Sequence, residues 1–172
     1  MAVRVSDFRR HNYKQARIRS AGKYVGNDVF WQLYEIENSF RIIAHSILLS
    51  QIGTNWWDIA VDARVRGDVE RAQKKYANKP WLSTQNVHNI YFVLLSDLTE
   101  IFRANSHLFL STIPDIDDWI ARLESVRPPR NLVAHMNFPL AYARKRIATT
   151  HRETYELLDS LSSNRAITLE IP

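Results

Sequence analysis

The chain contains no cysteine. Disulfides, thiolate metal sites and cysteine nucleophiles are therefore excluded, and a reducing, cytoplasmic compartment suits such a composition. Glycine and proline are scarce, four and six in 172 residues, so few turns punctuate the sequence. No apolar run approaches the roughly 20 residues that a membrane span requires, and no membrane partner is expected. The N-terminus lacks the apolar core of a secretory signal; it is arginine-rich and acid-poor, which faintly resembles an organelle transit peptide. What is abundant is hydrophobic residue, 45% of the chain, recurring at helical spacing. Together these features predict an all-α protein of about five to six helices with a core of its own.

Charge is unevenly placed. The net charge is +5. Seven of the 23 basic residues and one of the 18 acidic ones lie in residues 1–27, giving that segment +6 and the remainder −1. The division read from this pattern is a basic N-terminal arm, 1–27, and a helical domain, 28–172. The arm, with Arg9 and Arg10, can contact nucleic-acid phosphates without sequence specificity, or it can be a solvated leader.

The first long helix is expected over residues 28–52. Val29, Leu33, Ile36, Phe40, Ile43 and Ile47 form its apolar stripe, Asn27 or Asp28 caps its start and Gly53 ends it. Glu37, Arg41 and His45, each four residues after the last, form one polar row. Such a row is either a solvated face or the lining of a cleft. Trp56 and Trp57 open a second helix that reaches about Tyr76, with Gly67 a point of interruption. The paired indoles either plug a core or interface, or stack on bases. A third helix is expected from about Val87 to Asn105, Phe109 plugs the core after it, and a fourth begins at Pro114–Asp115. Pro128–Pro129 is read as a break that starts a new short helix, and the last helix follows Pro139. The final AITLEIP reads as extended.

The segment RPPRNLVAHMN, residues 127–137, carries the chemistry. Asn131 and His135 are one helical turn apart, and Arg130 reaches in from the edge of the same face. If a helix starts at Pro129, its free amides also favour a phosphate. Histidine titrates near neutral pH and can move a proton. Arginine offers a fixed cationic fork for a phosphate, and asparagine can orient either group. These types suit cleavage of RNA through its own 2′-hydroxyl, with no metal or other cofactor. The bland alternative is that Arg130 pairs with an acid and His135 is a half-buried, hydrogen-bonded residue. An arginine followed by a histidine after four to six intervening residues also occurs at Arg4–His11, Arg144–His151 and Arg146–His151, so context rather than spacing singles out this copy.

In that context RNLVAH resembles the HEPN ribonuclease motif: arginine, a polar residue, a few apolar residues, then histidine. ENSFR leading into LLSQIGTNWWD, the segment LLSDLTEIFRANSHLF and the helix after the motif are similar to one HEPN subgroup, over roughly residues 28–161. The basic arm lies outside the pattern. The resemblance implies an α-helical bundle that pairs as a homodimer, two motifs facing each other across a composite cleft. It implies a metal-independent endoribonuclease of toxin–antitoxin, phage-defence or RNA-processing systems, with RNA as substrate and an antitoxin or regulatory protein as partner. Carried over by motif, Arg130 and His135 are catalytic and Asn131 supports them. Arg127, Arg9, Arg10 and Arg41 are candidate contacts to the RNA backbone. Some members of the family have lost activity, so the alternative is a non-catalytic nucleotide- or RNA-binding or dimerisation module.

Overall fold

The computed structural model describes residues 5–79, 81, 87–164 and 167–172. Every regular element among them is helical. A short 3-10 turn, Phe8–Arg10, precedes α1 (Gln15–Tyr24). The chain then passes through a π-type turn at Val25–Phe30 directly into α2 (Trp31–Ile52). Next come α3 (Trp56–Ala60), α4 (Ala63–Ala77), a 3-10 turn (Asn89–Phe92), α5 (Leu95–Ala104), α6 (Ser106–Phe109), α7 (Ile116–Ala134) and α8 (Ala141–Ser163). None of the described helices is long and apolar enough to cross a membrane.

α2 is the central rod. The whole stripe from Val29 to Ile47 is at most 4% exposed, and Ala44 and Leu48 are fully buried as well. A helix apolar over so much of its surface is stable only when neighbours wrap it. α8 packs along it, α3, α5 and α6 flank it, and α7 closes the bundle against α5 and α8. Phe40 shows the packing at the centre: its ring meets Phe102 edge-on at 5.8 Å and Trp119 at 5.4 Å. Phe109, the expected plug, is fully buried.

Gly53 ends α2 at φ 96°, a backbone conformation open to glycine and strained for other residues. No side chain caps the start of α2, because the helix does not start at Asn27 or Asp28. It continues backward through the π-type turn into α1, so half of the basic arm is helical and the boundary drawn at residue 27 falls inside that turn. The expected second helix is two, α3 and α4, separated at Val61–Asp62, where the Asp62 carboxylate caps Arg64 N–H at 2.8 Å. Gly67 sits within α4 without interrupting it. The expected third helix is also divided: Val93 and Leu94 are extended between the 3-10 turn and α5. That break frees the Val93 carbonyl to accept from Arg41 at 3.1 Å. In the final segment, residues 167–172 carry no regular element, and the Glu170 N–H donates to Ser46 Oγ at 2.8 Å. Pro80, Arg165 and Ala166 lie outside the described residues.

The largest correction concerns Pro128–Pro129. α7 runs straight through them. Each proline removes an N–H from the helix ladder, at a cost of about 3 kcal/mol in a helix interior. Leu123, Val126, Pro129 and Val133 are all buried on this stretch, and their packing outweighs the local penalty. No helix begins at Pro129.

Candidate functional site

Because α7 is continuous, Arg130, Asn131 and His135 lie at its C-terminal end rather than at a helix start. The free amides expected to favour a phosphate are absent. His135 is the C-cap, and its backbone N–H donates to Asn131 O at 3.0 Å. The chain then turns through Met136 at φ 58°. Met136 N–H donates to Val133 O at 2.9 Å and Asn137 N–H to Leu132 O at 3.0 Å. This pair of bonds is the Schellman arrangement, which closes off the last carbonyls of a helix. Met136 is 87% exposed and fills a position where glycine is the usual choice.

Arg130 turns toward α2. Its Nε donates to Glu37 Oε1 at 2.5 Å, and its Nη2 lies 3.5 Å from Glu37 Oε2. Glu37 Oε2 also accepts from Arg41 Nη2 at 3.0 Å. One carboxylate thus bridges two guanidinium groups from different helices. Glu37 and Arg41 are each only 8% exposed. Two members of the α2 polar row, Glu37 and Arg41, therefore line a cleft rather than a solvated face. The cleft measures about 350 Å³; Glu37, Asn38 and Arg41 line it with Arg130, and Val133 and Ala134 border it on the α7 side. Phe30, the last residue of the π-type turn, and Tyr34, one turn on in α2, stand along its walls with Leu33 and Tyr91, the first two 53% and 63% exposed. Burying charges is tolerable only when each is paired and hydrogen-bonded. Here Glu37 satisfies that for both arginines, although Arg41 Nε stays buried without a hydrogen bond.

Asn131 is exposed, and its Oδ1 lies 3.5 Å from Arg130 Nη1. Glu37 takes Nε and Nη2, so the Nη1 edge beside Asn131 is the part of the fork open to a ligand. His135 is exposed and its ring makes no hydrogen bond among the described residues. It does not line the cleft. The structure thus brings Arg130, Asn131, Glu37 and Arg41 together, and sets His135 on the outer surface just beyond them.

The other candidate cations divide. Arg127 is exposed on α7, and Arg10 is exposed at the N-terminal turn. Arg9 folds back onto the turn after the motif: its Nη1 donates to Asn137 Oδ1 at 2.8 Å, while Asp7 accepts from its Nε at 3.0 Å and its Nη2 at 2.9 Å. The Arg9 guanidinium beside Asp7 holds that carboxyl below the usual carboxylate range. Arg41 is not a surface cation. Its guanidinium is engaged with Glu37, Asn38 and Val93 in the lining of the cleft.

Farther along the same α2 row, His45 enters a different environment. It meets His88 at 5.0 Å and Trp56 at 5.6 Å, and Trp56 stacks on His88 at 5.4 Å. Trp56 and Trp57 are buried, so the indoles are core. Burial pushes the His45 imidazole below its ordinary pKa, opposed by the Glu170 carboxylate. Burial also pushes His88 down, and His45 adds to the effect.

Comparison with protein-family models, curated proteins and solved structures finds no match to this chain.

Proposed function

We propose that the protein is a homodimeric, metal-independent endoribonuclease of the HEPN type, working in a toxin–antitoxin or phage-defence setting. The observation that carries this reading is the Arg130 fork. It is fixed by Glu37 on one side, borders Asn131 on the other, and sits on the helix end that presents an unengaged His135. In the reaction, His135 takes the proton of a ribose 2′-hydroxyl, and the 2′-oxygen attacks the adjacent phosphorus. The bond to the 5′-oxygen breaks, and that oxygen takes up the proton that the His135 imidazolium gives back, so no net proton is gained or lost. Arg130 stabilises charge on the non-bridging oxygens, and Asn131 orients the phosphate. The products are a 2′,3′-cyclic phosphate and a 5′-hydroxyl. Pairing of two copies supplies a second motif across the cleft, which suits a chain whose own His135 stands outside it.

Purified protein is expected to cut mixed cellular RNA in excess EDTA and to leave cyclic-phosphate ends. Intact RNA in that assay, over a range of protein concentrations that populates the dimer, sinks the enzymatic reading.

One observation favours a second reading, a non-catalytic RNA-binding or dimerisation module. Glu37 compensates Arg130 and Arg41 in part, and a paired arginine is a weaker electrophile for phosphate. Under this reading Arg130→Ala weakens binding of RNA and no cleavage appears under any condition.

A further inference from the structure

A second groove lies where α7 meets α8. It measures about 430 Å³ and includes Arg122, Tyr142, Lys145, Arg146, Thr149 and Glu153 in its lining. Residues 142, 145, 146, 149 and 153 share one face of α8 by their three- and four-residue spacing. Arg122 is engaged: its Nε lies 3.3 Å from Glu153 Oε2, its Nη1 3.8 Å from Asp115 Oδ2, and its guanidinium covers the Trp119 ring at 4.8 Å. Lys145 and Arg146 are exposed and make no ion pair among the described residues. With Glu153 matched to Arg122, the groove carries two uncompensated positive charges. The Tyr142 ring stands at its edge, 75% exposed.

Helix stability does not explain this placement. The first turn of α8 contains no acid, and three of its four arginines and lysines gather at residues 144–146, while Glu153, Glu156 and Asp159 follow behind with Arg152, which pairs with Glu156. The helix dipole favours the reverse order. Uncompensated cations along a groove, with an exposed aromatic ring beside them, are the elements of a single-strand nucleic-acid track: phosphates on the charges, a base on the ring. The groove also shares α7 with the motif. Arg122 and Arg130 are eight residues apart, about 12 Å along the axis at 1.5 Å per residue. That is roughly three to four phosphate spacings of a stacked strand at about 3.4 Å each. Exposed Arg127 lies between the two on the same helix.

We infer that the α7–α8 groove, through Lys145, Arg146 and Tyr142, binds the phosphate backbone of the single-stranded RNA whose cleavage is assigned to Arg130 and His135. The identity of that strand rests on the ribonuclease reading; the groove's affinity for it does not depend on cleavage.

The test is fluorescence anisotropy of a labelled 12-nucleotide single-stranded RNA, in EDTA, from about 50 to 200 mM salt. The protein is the full chain carrying His135→Ala, with and without Lys145→Ala and Arg146→Ala, each checked for helicity by circular dichroism. Removing both cations is expected to weaken binding about tenfold and to lower the salt slope by about 1.4, at roughly 0.7 per phosphate contact. Tyr142→Ala is expected to weaken binding with little change in slope. Unchanged affinity and slope in the double variant overturns the inference, as does failure of the parent to bind RNA at all. Competition by poly-glutamate as effective as by RNA also overturns it, because the groove then serves an acidic protein. If wild-type protein leaves RNA uncut while binding still depends on Lys145 and Arg146, the groove stands and the ribonuclease reading falls. If cleavage occurs and binding ignores both residues, the reverse holds.

Discussion

The two sides of α7 handle charge in opposite ways. On the α2 side, a largely buried carboxylate bridges two arginines, and every member of the group is fixed by its neighbours. On the α8 side, two cations stand in solvent and make no ion pair among the described residues. A compensated, half-buried fork has a defined direction and little long-range field. Exposed, uncompensated charges have a long-range field and no defined direction. The first suits positioning of one phosphate, the second suits capture of a strand. Arg130 belongs to the first class because of Glu37, and substitutions at Glu37 separate the two sides most sharply.

Glu37→Ala leaves Arg130 and Arg41 facing each other without their shared counter-charge. Removing one partner of a buried pair costs about 3–5 kcal/mol. The Arg130 side chain is 27% exposed and can relax into water, so the loss should lie near the lower end of that range. Chemical denaturation reads it directly. Lys145→Ala with Arg146→Ala on the other side should leave the denaturation midpoint within the scatter of surface substitutions, about 0.5 kcal/mol. A Glu37→Ala midpoint equal to wild type breaks the contrast.

A smaller effect is expected from pH. His45 and His88 are held below their ordinary pKa in the folded chain by burial. Between that lowered value and about 6.5, the unfolded chain therefore binds protons that the folded chain refuses. Stability falls as pH drops through this window and is level above it. Urea midpoints at pH 7.5 and 5.5 measure the drop, and His45→Leu should reduce it. A midpoint that does not move with pH in the wild type contradicts the burial account.

The smallest effect belongs to Met136. Its left-handed conformation costs about 1 kcal/mol for a side chain bearing a Cβ. The side chain is largely in solvent, so Met136→Gly gives up little burial. The variant should be more stable than wild type by about that amount in thermal melts. A lower melting temperature means that the Met136 side chain carries a contact in solution, as it would at a face between two copies.

Much of the bundle was legible because periodicity reports burial. The Val29–Ile47 stripe and Phe109 are where their patterns put them, inside, and of the readings open for Trp56–Trp57 the structure favours the core. Local signals failed where tertiary packing decided. Pro128–Pro129 reads as a break by every local rule, yet α7 continues because the surrounding residues are buried. The start of the continuous helical run was set too late because the apolar stripe begins at Val29, whereas α1 and the π-type turn carry the run back to Gln15 through a polar, mostly exposed segment. In the site, helical spacing put Asn131 and His135 on one face with Arg130 at its edge; the structure keeps Asn131 beside Arg130 and leaves His135 outside the cleft. Glu37, the partner of Arg130, was visible only as one member of a polar row, 93 positions away, and nothing in the order of residues joins the two. The α7–α8 groove was hidden for a related reason. Averaged over residues 28–172 the charge is −1, and that average conceals the local separation of bases from acids along α8.

The most direct measurement is the single-turnover rate of RNA cleavage in excess EDTA by wild type, His135→Ala and Glu37→Gln, side by side. Loss of a positioned acid–base group lowers the rate about 10²–10⁴-fold. That loss is expected for His135→Ala with its denaturation midpoint unchanged, while Glu37→Gln should lose both rate and stability. Cleavage by His135→Ala at the wild-type rate contradicts the account.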